Sequence, residues 1–154
     1  MQNHIPRLLL SATGSDSGKT TMMLALLSAF QKSGVVVQSY KSGPDYIDPM
    51  FHEAVTHRPA YHTDPFFLQS DAMRKLVAAT AQQADLALIE GAMGFYDGIG
   101  QTSEASAYTV SQWLETPAVL VANPQKMGRS VAAICKGFLQ LEPHNRIVGF
   151  LLNR

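Results

Sequence analysis

The sequence contains a single cysteine among its 154 residues, so it cannot form a disulfide within the chain. It also lacks net charge, because 12 Lys and Arg residues balance 12 Asp and Glu residues. A chain without a net field has no general attraction for nucleic acid or for an anionic membrane. No apolar run could span a bilayer, and the N-terminus lacks the basic-then-apolar pattern of a signal peptide. We therefore expect a cytoplasmic protein that binds neither nucleic acid nor membrane.

Neither the cysteine nor the histidines predict a reactive or metal centre. Cys135 lies at helical spacing from Val131, Ile134 and Phe138, so we interpret it as a small core residue. The five histidines are scattered without the spacing of zinc ligands.

Five short segments are almost entirely apolar, and helical patterns separate them. The predicted strands are residues 7–11, 35–40, 86–89, 118–122 and 147–152. Because these strands do not alternate polar with apolar residues, both of their faces should be covered, as in a parallel sheet. The apolar stripes of the predicted helices lie in residues 23–30, 73–77, 107–114 and 131–138. The pattern predicts one α/β domain with a doubly wound, mainly parallel sheet and helices on both faces.

Two helix boundaries can also be predicted. Ser33 and Gly34 should end the first helix, since glycine adopts a left-handed conformation at little cost. Ser70, followed by Asp71, should cap the start of the second helix. The chain stops just after the fifth predicted strand without a closing helix, so we expect a fragment of a longer protein.

The most informative segment follows the first predicted strand and precedes the first helix. It consists of Gly14, Ser15, Asp16, Ser17, Gly18, Lys19, Thr20 and Thr21. A glycine-rich turn between a strand and a helix can cradle phosphate with backbone N–H groups, while the lysine reaches the outer phosphates and the threonine hydroxyl binds Mg²⁺. The usual pattern has glycine where this chain has Thr13. The alternative is a surface turn with a solvated lysine.

Polar residues follow the second and third predicted strands as well. Lys41, Asp45 and Asp48 lie in a segment stiffened by Pro44 and Pro49. Ligands of parallel α/β sheets bind at the carboxyl ends of the strands, where these loops begin. Two carboxylates and a lysine beside a phosphate site indicate metal binding and charge stabilisation, and the alternative is an ordinary solvated turn.

Glu90 ends the third strand, where a carboxylate can coordinate Mg²⁺ directly or through water. Asp97 follows on a glycine-rich loop that allows a ligand to approach the backbone closely. Glu90 could instead cap a helix or pair with a lysine. Together with Lys19, Thr20 and Asp45, Glu90 would form a phosphoryl-transfer site that binds a nucleotide and Mg²⁺.

Four motifs in this order give a family resemblance. They are residues 14–21 (GSDSGKTT), 41–48 (KSGPDYID), 90–98 (EGAMGFYDG) and 149–154 (GFLLNR). The chain resembles, over nearly its whole length, the N-terminal synthetase domain of cobyrinic acid a,c-diamide synthases, which are relatives of dethiobiotin synthetase. The second and third motifs are more specific than the phosphate loop, which many ATPases share.

The resemblance implies ATP- and Mg²⁺-dependent amidation of the a and c acetate groups of a corrin-type macrocycle, a tetrapyrrole carboxylate, in cobalamin biosynthesis. ATP would phosphorylate a carboxylate, and ammonia would displace phosphate from the acyl phosphate. In the family a C-terminal glutaminase domain supplies the ammonia; these residues do not contain it, so the chain by itself could use only free ammonia. The family also suggests a homodimer.

The resemblance implies the nucleotide and metal ligands. Lys19 and Thr20 would take the phosphates and Mg²⁺, and Asp45 and Glu90 would complete the metal site. Asn153 matches a position that meets the adenine edge.

The remaining acidic and basic residues of the motifs would act in catalysis. Lys41 would stabilise the transferring phosphoryl group, and Asp48 and Asp97 would orient the substrate carboxylate or the acyl phosphate. His52 and His62 could contact substrate carboxylates, although we interpret them as surface histidines. The aromatic side chains of Tyr46, Phe51, Tyr96 and Tyr108 could stack on a flat macrocycle or serve local packing.

The chain departs from the family pattern at residues 61–64, at residues 105–108 and at Asn123. These departures leave open a paralogue with another carboxylate substrate, such as nickel-sirohydrochlorin. A nucleotide-dependent switch or partitioning ATPase is a second alternative, although residues 11–13 lack the additional lysine usual in that group. The third alternative is a remnant that binds nucleotide without catalysis.

Overall fold

The computed structural model describes residues 5–153 and contains one six-stranded sheet in which every strand pair is parallel. The strands are β1 Arg7–Ala12, β2 Val37–Lys41, β3 Tyr61–His62, β4 Leu86–Glu90, β5 Ala118–Ala122 and β6 Ile147–Leu152, in the order β3-β2-β4-β1-β5-β6. The helices are α1 Lys19–Lys32, α2 Ile47–Thr56, α3 Ser70–Thr80, α4 Ala107–Trp113 and α5 Val131–Leu141. Residues 1–4 and Arg154, on which the expectations about the chain's start and end depend, lie outside the described residues.

Two apolar cores confirm the predicted doubly wound arrangement. One core joins Leu9 and Ile89 of the sheet to Met73 of α3 and Val110 of α4. The other joins Leu10, Leu88 and Val121 to Met23 and Leu27 of α1. Neighbouring residues of one strand enter different cores because successive side chains point to opposite faces. The inner strands β1, β4 and β5 are therefore mainly apolar on both faces, as the sequence predicts.

The sequence prediction missed one helix and one strand. Residues 47–56 form α2 although Pro44 and Pro49 suggested a loop; Pro49 lies in the first turn, where its missing N–H costs no hydrogen bond. Strand β3 has only two residues, which pair with Tyr40 and Lys41 of β2, and so carries too little pattern to be recognised.

One predicted helix boundary is confirmed and the other is wrong. Gly34 follows the end of α1 with a φ of 78°, and its N–H donates to the carbonyl of Gln31. At the start of α3, Gln69 occupies the cap position and Ser70 is already helical, with no side-chain cap.

The interpretation of Cys135 as a core residue is wrong. No residue of α5 is buried, and Cys135 is partly exposed. Phe138 of the same helix reaches Tyr96, with ring centroids 5.5 Å apart, while Leu141 and the edge-strand residues Val148 and Leu152 are exposed. Within residues 5–153, no helix is both long enough and apolar enough to cross a membrane.

Candidate active site

Backbone hydrogen bonds at the strand ends place the polar loops along one edge of the sheet. The N–H of Thr13 donates to Val121, that of Ser42 to the carbonyl of Glu90, and that of Gly91 to Leu10. Each bond continues a parallel ladder by one residue past a strand end. The loops that follow β1, β2 and β4 therefore begin side by side at the carboxyl edge, where parallel α/β proteins bind ligands.

The glycine-rich loop turns directly into α1. Gly18 occupies the cap position with a φ of 81°, and the Ser17 hydroxyl donates to the Gly14 carbonyl at 2.9 Å. The side-chain amide of Asn153 donates to the Ser17 carbonyl at 3.1 Å, and a Cβ at position 18 would lie 2.2 Å from that amide nitrogen. A helix N-terminus that opens from such a loop can hold a phosphate with its unpaired N–H groups.

Four side chains converge beside this loop, and we call them the acid–lysine cluster: Thr20, Lys41, Asp48 and Glu90. The Thr20 hydroxyl lies 2.7 Å from Glu90 Oε1 and 3.2 Å from Asp48 Oδ2. Lys41 Nζ lies 2.5 Å from Asp48 Oδ2 and 3.3 Å from Glu90 Oε1. Lys41 is 3% exposed and Glu90 is fully buried, so water contributes little to the screening of these charges.

The cluster keeps its central acid and base charged. Burial alone would raise the pKa of Glu90, but the hydrogen bond from His52, the Lys41 charge and the Thr20 hydroxyl outweigh it, so the pKa lies below its ordinary value. Burial would likewise lower the pKa of Lys41, yet Glu90 and Asp48 raise it overall. In contrast, burial and the neighbouring Lys41 charge lower the pKa of Lys19.

Asp45, predicted as a metal ligand, lies at the margin of this cluster. Its Oδ1 accepts hydrogen bonds from the N–H groups of Ile47 and Asp48, which places it as a cap on α2. Its Oδ2 lies 3.7 Å from Lys41 Nζ, and its side chain is 39% exposed. Asp48 is the aspartate of this loop that contacts Thr20.

His52 is fully buried, so its interpretation as a surface histidine is wrong. Its Nε2 lies 2.8 Å from Glu90 Oε2. The spacing of Pro49 and His52, both buried on α2, is the signal that would have predicted this burial once a helix was recognised. His62, in contrast, is half-buried, and its ring centroid lies 5.3 Å from that of Tyr46.

The loop after β4 holds Asp97 at the surface on a fixed turn. Asp97 Oδ2 accepts from the N–H of Gly94 at 2.9 Å. The N–H of buried Phe95 donates to the carbonyl of Ala12, which ties this loop to the end of β1. A Cβ at Gly98 would lie 2.1 Å from the Glu104 carbonyl oxygen, so only glycine fits there.

A mainly apolar pocket of about 310 Å³ adjoins the cluster. Its lining consists of Gly43, Pro44, Asp64, Phe66, Phe67, Ala92, Met93, Asp97, Gly98, Ile99, Ala105, Ser106 and Ala107. Lys19 Nζ lies 3.5 Å from the carbonyl oxygen of Met93, so the pocket borders the glycine-rich loop. Phe66 and Phe67, which are largely exposed, were not predicted as site residues.

The four aromatic residues considered for stacking fall into two groups. Tyr96 and Tyr108 pack against each other and against Phe95, which is local packing. Tyr46 is 75% exposed and Phe51 is 50% exposed, so both of these rings remain open to a ligand.

The donor set suits a magnesium–nucleotide complex better than a bare metal ion. No group of three or more Asp, Glu, His or Cys residues between residues 5 and 153 could hold a metal ion. A hydroxyl and carboxylates beside a phosphate loop supply only part of an octahedral Mg²⁺ shell, and nucleotide phosphates and water complete such shells.

Comparisons with known proteins show the family to which the chain belongs. The family model described as "AAA domain" matches residues 6–154. The chain is 44% identical over 149 residues to a cobyrinate a,c-diamide synthase from Priestia megaterium, covering 96% of this chain and 32% of the relative. It is 39% identical over 151 residues to a hydrogenobyrinate a,c-diamide synthase from Streptomyces coelicolor, covering 97% of this chain and 31% of the relative. The chain thus spans about a third of the length of these curated relatives.

Among solved structures, chloroplast FtsY from Physcomitrella patens matches with a TM-score of 0.65 and 18% sequence identity. The match covers 99% of this chain and 50% of that chain. This similarity supports the α/β fold of the chain.

Proposed function

The chain belongs to the AAA domain family, and from this premise we propose that it is the ATP-binding synthetase domain of an amidating ligase that acts on a cobyrinate-type tetrapyrrole carboxylate. The observation that carries the proposal is the acid–lysine cluster beside the phosphate loop. The loops that follow Lys41 and Glu90 line an apolar pocket together with Asp97. The names of the curated relatives support the substrate class.

The proposed reaction has two steps that balance without a covalent enzyme intermediate. An oxygen of the substrate carboxylate forms a bond to the γ-phosphorus of ATP, and the bond to the β–γ bridging oxygen breaks, releasing ADP. Ammonia then forms a C–N bond at the acyl carbon, phosphate leaves, and a proton passes from nitrogen to solvent. Positioning and charge stabilisation are the main contributions of a protein to phosphoryl transfer.

Each step draws on residues whose placement fits the role. Lys19 would bind the outer phosphates, and Lys41, held between Asp48 and Glu90, would stabilise the charge on the transferring group. When bound, Mg²⁺ supplies charge neutralisation at the β and γ oxygens. Thr20, Glu90 and Asp48 would hold it, with Asp45 at the margin.

The pocket would hold the substrate beside the nucleotide. Its apolar rim of Phe66 and Phe67 suits the hydrophobic face of a macrocycle, and Asp97 would orient the reacting carboxylate or the acyl phosphate. Asn153 holds the phosphate loop through the Ser17 carbonyl, a position from which it would also meet the edge of the adenine. A glutaminase domain as the ammonia source and a homodimeric assembly remain part of the proposal.

Release of ADP in the presence of cobyrinate, ammonia and Mg²⁺ tests this function. We expect turnover that requires the tetrapyrrole acid and yields the amide, detected by mass spectrometry. Turnover with nickel-sirohydrochlorin but not with cobyrinate would show that the chain belongs to a paralogue with that substrate. ADP release that is indifferent to any tetrapyrrole would identify a switch ATPase, and nucleotide binding without turnover would favour a non-catalytic protein.

Replacement of Asp97 should separate nucleotide binding from amidation. In Asp97→Asn the acceptor for the Gly94 N–H is retained but the charge is lost, so we expect ATP affinity to stay unchanged and amidation to fall by about 100-fold or more. Asp71→Asn, at an exposed acid that does not line the pocket, is the matched control. Normal amidation by Asp97→Asn would remove Asp97 from the reaction.

A further inference from the structure

His52 is a buried titratable residue to which the proposed reaction assigns no role. It lies on α2, is fully buried, and places Nε2 at 2.8 Å from Glu90 Oε2. Its other nitrogen, Nδ1, is buried and has no hydrogen-bond partner within the part of the chain that the structure describes. The contact with Glu90 is therefore the polar interaction that fixes the ring.

The two oxygens of Glu90 have different neighbours. Oε2 meets His52, whereas Oε1 lies 2.7 Å from the Thr20 hydroxyl and 3.3 Å from Lys41 Nζ. An ionised carboxylate only accepts hydrogen bonds, so Nε2 must carry the proton that bridges to Oε2. That tautomer leaves Nδ1 as an acceptor without a donor.

We propose that His52 is a positioning residue that fixes the rotation of the Glu90 carboxylate, so that Oε1 faces the position beside Thr20 where the Mg²⁺ of the nucleotide complex would lie. The inference rests on the proposed function, because it assigns to Glu90 the metal-binding role. His52 itself touches neither metal nor substrate. It acts by donating a hydrogen bond to Glu90 Oε2, which keeps that oxygen from turning towards Lys41.

The physical reason lies in the competition for Glu90. Without the imidazole, Oε2 would be buried and unpaired, and the carboxylate would gain by rotating both oxygens towards Lys41 and Thr20. After such a rotation, the Glu90 oxygen that the metal requires would be engaged by Lys41 and Thr20. Partners that orient a metal-binding side chain typically change metal affinity by about 10–100-fold when they are removed.

Two amide substitutions distinguish a positioning role from a packing role. The glutamine amide in His52→Gln reaches about as far as Nε2 and keeps a donor for Glu90. The asparagine amide in His52→Asn stops near the position of Nδ1 and loses that donor. The measurement is the Mg²⁺ concentration at half-maximal binding of a non-hydrolysable ATP analogue to the full chain. We expect His52→Asn to raise it by about tenfold or more and His52→Gln to leave it near the unaltered value.

The free energy of unfolding of both variants provides the structural control. If His52 only fills space, both variants lose stability while the folded proteins keep the original Mg²⁺ midpoint, and this outcome overturns the proposal. Glu90→Gln and Thr20→Val serve as reference variants for the metal site. If they raise the midpoint and His52→Asn does not, only the role of His52 fails. If neither reference variant raises it, the proposed metal site fails and the inference falls with it.

A measurement on the unaltered chain covers the case in which His52→Asn does not fold. Nitrogen-15 NMR of the histidine side chains at neutral pH should show that His52 is protonated at Nε2. The resonance of this proton should shift when Mg²⁺ and the analogue bind. A ring protonated at Nδ1 instead, or an Nε2 proton that does not respond to Mg²⁺, would overturn the proposal.

Discussion

Replacing Lys19 by alanine should weaken ATP binding by about 30-fold or more, which corresponds to the 2 kcal/mol or more lost when one partner of a buried charge contact is removed. Lys19 Nζ makes a 3.5 Å contact with the Met93 carbonyl, and no carboxylate within residues 5–153 forms a salt bridge with it. Burial and the Lys41 charge lower its pKa, and an anion beside the ammonium group would offset both effects. The ammonium group is thus available to the nucleotide.

The experiment compares Lys19→Ala with Lys32→Ala by calorimetric titration with ATP and Mg²⁺. Lys32 is exposed at the far end of α1, so its removal changes the net charge equally without touching the loop. Unfolding curves of the two variants should be similar, because Lys19 has no buried ionic partner to strand. Equal ATP affinities in the two variants would show that the phosphates bind elsewhere.

The Lys41→Met variant should lose about 3–5 kcal/mol of folding free energy at neutral pH, because the substitution strands buried carboxylates beside each other. Lys41 is 3% exposed, and its Nζ contacts both Asp48 and Glu90. Methionine is unbranched and only one atom shorter than lysine, so the loss reports mainly the charge. Lys75→Met, at an exposed lysine of α3, should change the free energy of unfolding very little.

The same variant should alter the pH dependence of stability in a defined direction. The pKa of Glu90 is lowered in the folded protein, so its contribution is present above its unfolded value of about 4.5 and is lost as pH falls through the folded value. Without Lys41 the pKa of Glu90 rises, and protonation relieves the stranded charge. The difference in unfolding free energy between the unaltered chain and Lys41→Met should therefore narrow from pH 7 to pH 4. A difference in unfolding free energy that widens on acidification would contradict the pairing of Lys41 with Glu90.

Above neutral pH, the dependence of stability on pH is determined by the titration of Lys41 itself. Its pKa is raised by Glu90 and Asp48 against the effect of burial, so its contribution is complete below about 10.5 and is lost only above that value. Between pH 7 and pH 9 the gap between the two proteins should stay constant.

The sequence predicted the parts of the fold that depend on long apolar runs. The five predicted strands are present, and four of them lie inside the sheet, where both faces of a parallel strand are covered. The sixth, β3, is only two residues long and is defined by pairing with Lys41 and Tyr40 rather than by its own pattern. Helix α2 was missed because its first turn contains a proline, a residue that ordinarily indicates a loop.

The sequence predicted which residues form the candidate site better than it predicted which of them contact one another. Thr20, Lys41 and Glu90 meet because they occupy neighbouring strand and helix ends, which a parallel sheet brings together. The contact of Asp48 with Thr20 depends on its position in the first turn of α2, and that required knowing the helix. His52 was missed for the same reason. The exposure of α5 could not be deduced from its apolar stripe, since a stripe indicates a buried face without showing what covers it.

The amide of Asn153 connects the two most distant parts of the described chain, since it follows β6 and holds the carbonyl of Ser17. We therefore expect the docking of the sixth strand to be coupled to the conformation of the glycine-rich loop. By reciprocity, if docking of the edge strand strengthens nucleotide binding, the nucleotide must favour the docked strand by the same free energy. Amide hydrogen exchange along β6 would then report occupancy of a site to which that strand contributes a single side chain.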